Sequence, residues 1–170
     1  MTDPAALGRA LAQDIEARAP FRYLTEGEAP DLETAHAIQI ECARALEAAR
    51  GPLGGRKLAW NTAPQMEAFG LTEPGAGRVF ASQIRRSGAR LNASDYATFA
   101  IEPEIAAVLK SPLAPVEGGH DPASVIAAIE VFRPAFEILD PRGFAPGPNA
   151  AFSALAADLF AAGLLLGGPG

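Results

Sequence analysis

Ile101-Glu102-Pro103-Glu104-Ile105-Ala106 lies within an apolar run that begins at Phe99 and continues to Leu109. Its two carboxylates are two residues apart. On a helix, such residues do not face each other. On a strand they project from one face, about 7 Å apart along the chain. Pro103 between them opposes a helix interior and drives Glu102 toward extended geometry. The stretch therefore reads as a strand with two glutamates on one face, inside a longer strand over Thr98 to Lys110. Like charges held together in apolar surroundings repel and are costly to desolvate. A hard divalent cation with oxygen ligands would relieve that cost. A solvated acidic face, or pairing with Lys or Arg, would relieve it too.

The elements around this strand set the fold class. Ala5 to Arg18 has Leu7, Leu11 and Ile15 at four-residue steps, with Asp3 as cap and Pro4 in the first turn, and predicts an amphipathic helix. Asp31 opens a second helix to about Arg50, with Ala35, Ile38, Cys42 and Leu46 on one face. Gly51-Pro-Leu-Gly-Gly breaks it. Beyond the break the pattern predicts strands at Arg56–Trp60, Arg78–Ser82, Ala89–Asn92, Glu130–Asp140 and Phe160–Leu166. Short helices are expected at Pro64–Phe69 and after Asp121, a helix or irregular turn over Ala150–Asp158, and loops at Gly70–Gly77 and Pro141–Asn149. Two helices followed mostly by strands argue α+β and not a regular βαβ wind. The expected division is an N-terminal helical region over 1–55 and a β-rich catalytic domain over 56–170.

Composition narrows the function. The 170 residues suffice for one domain with a core, and 49% hydrophobic with 20% charged residues is ordinary for a globular chain. A net charge of -6, with no Lys/Arg-rich run, argues against a nucleic-acid partner. The single Cys42 excludes an internal disulfide and fits a reducing, cytoplasmic setting. The first twenty residues carry Asp3, Asp14 and Glu16 and do not form a secretory signal; the longest apolar run, Leu159 to Leu166, is too short to span a membrane.

Two further charges sit in apolar surroundings. Glu137, in Arg133-Pro-Ala-Phe-Glu-Ile-Leu-Asp140, needs a partner. Arg133, four residues back on the same strand face, is one; a metal shared with Glu102 and Glu104 is the other. Lys57 follows a Gly-rich turn and precedes Leu58, Ala59 and Trp60. It either serves as a charge clamp or proton carrier or snorkels to water from a strand end. His36 and His120 have no companion at ligand spacing, and Cys42 reads as core filling. Ser82, Ser87 and Ser153 lack a nucleophile-elbow context. Gly51 to Lys57 is no P-loop, and Gly75-Ala-Gly77 meets Phe80 where a dinucleotide fingerprint needs a third glycine.

Taken in order, Ala35-His36-Ala37-Ile38-Gln39, Gly55-Arg56-Lys57-Leu58-Ala59, Gln65, Phe69-Gly70-Leu71, Glu73-Pro74-x-x-Gly77, Glu102-Pro103-Glu104-Ile105-Ala106, Arg133 to Asp140 and Ala157-Asp158 resemble the 2-keto-4-pentenoate hydratase branch of the fumarylacetoacetate hydrolase superfamily. The resemblance implies N-terminal helices packed on a mixed β-roll. It implies Mg²⁺ or Mn²⁺ held by Glu102, Glu104 and Glu137, with Lys57 as the active-site lysine. The implied activity is hydration of a small 2-hydroxy-dienoate or 2-keto-enoate in aromatic catabolism, by a cytoplasmic homo-oligomer with no nucleic-acid or membrane partner. Alternatives are a 2-oxo acid decarboxylase of the same family and a non-catalytic, degenerate subunit. The chain departs from the family pattern in three places. Gly75 stands where many hydratases carry an aspartate. Asp158-Leu159 stands for an Asp-Asn pair. The sequence ends at Gly170, so the closing strands of the roll are expected to be missing and a strand edge left open or paired with another subunit.

Overall fold

The computed structural model describes residues 3–168. Helix α1 (Pro4–Glu16) starts where the Asp3 carboxylate accepts from the amides of Ala5 and Ala6, at 3.0 and 3.1 Å, with Pro4 in the first turn. Helix α2 (Leu32–Arg50) is capped by Asp31 and stopped by Gly51, whose φ of 75° favours glycine. Strand β1 (Leu53–Ala59), helix α3 (Ala63–Phe69), and strands β2 (Gly75–Phe80) and β3 (Ile84–Arg86) follow. The second half comprises β4 (Ala100–Leu109), α4 (Pro122–Ala128), β5 (Ile129–Leu139), α5 (Ala150–Ala156) and β6 (Ala161–Leu166).

β1 and β2 form an antiparallel pair. A second, mixed sheet has the order β3-β6-β5-β4, with β3 parallel to β6 and the other pairs antiparallel. This is an α+β fold of the fumarylacetoacetate hydrolase type. The mixed sheet is open: among the described residues, the outer edge of β4 pairs with no strand. The core lies between α1, α2 and α5, where Leu11, Ile38, Cys42, Leu46, Leu155 and Leu159 are fully or almost fully buried beside Phe80 of β2. The helical layer thus supports β2 from behind, and β2 in turn backs β1.

One element differs from the expected order. Ala89–Asn92 is not a strand; the strand is Ile84–Arg86, and Gly88, at φ 87°, turns the chain after it. Ile84-Arg85-Arg86 has no apolar alternation. It is extended because Ile84, Arg85 and Arg86 pair with Leu164, Leu165 and Leu166 of β6, a tertiary cause. Elsewhere β2 begins at Gly75, inside the segment expected to be loop.

Candidate functional site

β4 and β5 pair in the register Glu102↔Glu137 and Glu104↔Ala135. Side chains alternate across a strand, so Glu102, Glu104 and Glu137 occupy one face of the ribbon. Each offers a carboxylate oxygen, and these oxygens lie within 4.8 Å of one another. Glu102 and Glu104 are exposed and Glu137 is buried. Like charges directly opposite on adjacent strands are destabilising. Burial raises the Glu137 pKa above its ordinary 4.5, and the charges of Glu102 and Glu104 add to the rise; the nearby Lys57 opposes it.

Lys57, on β1, points into the same site. Its Nζ stands 2.6 Å from Glu137 Oε1, with both side chains almost fully buried. The contact is a close, buried charge pair. Glu137 is therefore partnered by Lys57 and not by Arg133, whose Nη1 donates instead to the Gly167 carbonyl at 3.4 Å. The lysine stem lies over Gly77, its register partner on β2. A Cβ at position 77 would come within 3.0 Å of Lys57 Cγ and 3.1 Å of the Asp158 carbonyl oxygen. Glycine there lets the stem lie flat against the sheet.

Two residues that hold this wall, Asp158 and Gln39, belong to the quoted motifs but have no role in the site expected from sequence. The buried Asp158 carboxylate accepts from the Arg78 amide at 3.0 Å and from Gln39 Nε2 at 3.2 Å. Gln39 Nε2 also donates to the Ala76 carbonyl at 2.8 Å, tying α2 to β2. Burial pushes the Asp158 carboxyl up to about 6 against the opposing charge of Arg78. Asp158, Leu159 and Phe160 all have positive φ, at 59°, 54° and 63°, a strained run of three non-glycine residues. The available signal was a polar residue on an apolar face: Gln39 between Ile38 and Cys42, and Asp158 between Ala157 and Leu159.

A cavity of about 220 Å³ opens beside the carboxylates, lined by Lys57, Glu102 and Glu104 on one side and by Trp60, Leu139, Leu159 and Phe160 on the other. Trp60 stacks on Phe69 at 4.5 Å. The two internal departures from the family pattern meet at this wall. A Cβ at Gly75 would be 3.0 Å from Leu159 Cδ1 and 3.4 Å from Trp60 Cε3. A side chain at 75 would press on Leu159 and Trp60, and with glycine there the wall carries no proton-transfer group at this position. A larger cavity, about 320 Å³, lies apart from the glutamates and is lined by four arginines.

The donor set fits a metal. Three carboxylates converge, one of them is buried, and the oxygens suit Mg²⁺, Mn²⁺ or Ca²⁺ better than a soft ion. His36 takes no part; it contacts Gln39 Oε1 at 3.3 Å. Cys42 is buried, and its thiol is pushed up to about 12, so it is inert. Ser153 bridges the Leu24 amide and the Asn149 carbonyl, a structural role. No helix among the described residues is long and apolar enough to cross a membrane.

No protein-family model and no curated protein matches the sequence. Solved structures do. The chain is similar to 4-oxalocrotonate decarboxylase from Pseudomonas putida G7 complexed with magnesium and adipate, with a TM-score of 0.79 and 24% identity over 97% of this chain and 62% of that one. The same enzyme complexed with calcium and acetate gives a TM-score of 0.77 and 25% identity, over 97% and 61% of the two chains. The present chain thus spans less than two thirds of the length of these structures.

Proposed function

We propose that this chain carries the metal site of a lyase acting on small 2-oxo acids. The observation that carries the reading is the convergence of Glu102, Glu104 and Glu137, from two strands, beside a buried lysine. The glutamates would hold Mg²⁺ or Mn²⁺. When bound, the cation supplies Lewis-acid stabilisation of an enolate. Lys57 would orient the substrate carboxylate or carry a proton at its Nζ. Trp60, Leu139, Leu159 and Phe160 would exclude water from the far side of the substrate.

Two reactions share this chemistry. Hydration needs a group that activates water. Decarboxylation needs only the electron sink and a proton for the resulting carbanion. Gly75 leaves one place without a water-activating acid, which favours the decarboxylase reading over the hydratase expected from sequence. The name of the solved neighbours points the same way. Product analysis on 2-hydroxypenta-2,4-dienoate and on its 5-carboxylated analogue, with Mg²⁺ or Mn²⁺, separates the two. Carbon dioxide from the second supports decarboxylation; a 4-hydroxy-2-oxo acid from the first restores the hydratase. A chain that binds neither cation would be the non-catalytic relative. The exposed apolar residues Ile105, Phe132 and Phe136 support a homo-oligomer. Light scattering that reports a monomer at high concentration would count against that.

A further inference from the structure

Arg142 is a buried charge, 5% exposed, that forms no direct ion pair among the described residues. Its Nη1 donates to the Ala19 carbonyl at 3.2 Å, and its guanidinium lies 5.6 Å from the centre of the Phe21 ring. These contacts fix the group in place without neutralising it. Arg142 also lines a cavity of about 320 Å³. Burial lowers its pKa, and Arg50 adds to that, while Asp140 and Asp14 oppose it at longer range.

With Arg142 counted, the cavity lining carries one more arginine than acids. Arg18, Arg50 and Arg85 share the lining with three acids, Glu16, Asp95 and Asp140. Two of the acids are already engaged. Glu16 accepts from Arg50 Nε at 2.7 Å, and Asp140 accepts from the amides of Ala97 and Thr98 at 2.9 and 2.7 Å. Arg18 reaches the Ser94 carbonyl at 2.7 Å, which leaves its charge unopposed. Arg85, on the edge strand β3, makes no hydrogen bond or ion pair through its side chain among the described residues. With Arg50 and Glu16 paired, three arginines face two carboxylates, Asp95 and Asp140, in a chain whose net charge is -6.

We propose that this cavity is a binding site for a small oxyanion, a carboxylate or phosphate group, with Arg142 as the buried fork and Arg18 and Arg85 at the mouth. A guanidinium taken out of water without a counter-charge is costly, and a bidentate oxyanion supplies both charge and acceptors. The volume admits a phosphate ion or a short organic acid and not a macromolecule. The site stands independently of the metal reading, although Phe160 lines both cavities.

The test is thermal denaturation and calorimetric titration of the full chain, stripped of metal and then dialysed free of chelator, with inorganic phosphate and, separately, acetate, each against chloride at equal ionic strength. Metal removal and a parallel Glu102→Gln sample keep binding at the carboxylate cluster out of the signal. The expected result is a saturable rise in melting temperature with phosphate, acetate or both, which chloride does not reproduce. The arm that responds more strongly identifies the ligand chemistry. Arg142→Lys should weaken binding about tenfold by losing the fork. If that variant does not fold, Arg85→Ala decides: on its edge strand it should fold normally and bind about threefold more weakly. Oxyanion titrations indistinguishable from chloride, or an unchanged affinity in Arg85→Ala, would overturn the proposal.

Discussion

Ile38, Leu46 and Leu155, in the helical layer, are at most 1% exposed, whereas Ile105, Phe132 and Phe136, on the β4–β5 ribbon, are 75%, 61% and 50% exposed. On the opposite face of the same ribbon a glutamate, Glu137, is 4% exposed. The helical layer sorts residues by hydropathy, as expected when burial is the driving force. The ribbon inverts the order: a carboxylate inside and aromatic rings in water. The layer secures the fold, and the ribbon gives up stability to hold three like charges within 4.8 Å. The two regions should therefore answer substitution differently.

The largest stability loss belongs to the layer. Ile38→Ala should cost about 2–5 kcal/mol in chemical denaturation, from lost burial plus the cavity left behind. A loss below about 1 kcal/mol would show that the layer is not the stabilising half. Next comes the buried pair. Lys57→Met leaves Glu137 without its cation and should cost about 3 kcal/mol without metal. Saturating Mg²⁺ or Mn²⁺ should recover part of that loss, because the ion replaces the missing positive charge. No recovery would argue against a cation at this point.

pH separates the regions again. Burial raises the Glu137 pKa above 4.5, so cation binding must displace a proton over the pH range in which that carboxyl titrates. Metal affinity should rise with pH through that range, with proton release measured by calorimetry in buffers of different ionisation enthalpy. A pH-independent affinity would remove Glu137 from the ligand set. Asp158 has the same sign. Its carboxyl, at about 6 in the folded chain against an ordinary 3.8, binds its proton more tightly when folded. Its contribution is full below about 3.8 and lost as pH rises through about 6, at most about 3 kcal/mol. Asp158→Asn should flatten stability over that interval. The smallest effect is expected on the ribbon's outer face. Ile105→Ser should change monomer stability by less than about 0.5 kcal/mol. A larger loss would mean that the face is covered by a second copy.

The sequence by itself determined the glutamate pair, because Pro103 excludes a helix and alternation along a strand is local geometry. It also determined both long helices, whose caps at Asp3 and Asp31 and apolar faces are set by neighbours a few residues away. Tertiary structure alone decided the rest. Whether Arg133 or Lys57 partners Glu137 depends on how β1 packs against the ribbon, across many residues of chain. β3 is a strand only because β6 pairs with it. The meeting of Gly75 with Leu159, the Gln39–Asp158 link and the burial of Arg142 are long-range contacts with no local signature. A chain can write its periodicities and caps into neighbouring residues, but the partner of a buried charge exists only once distant segments have packed.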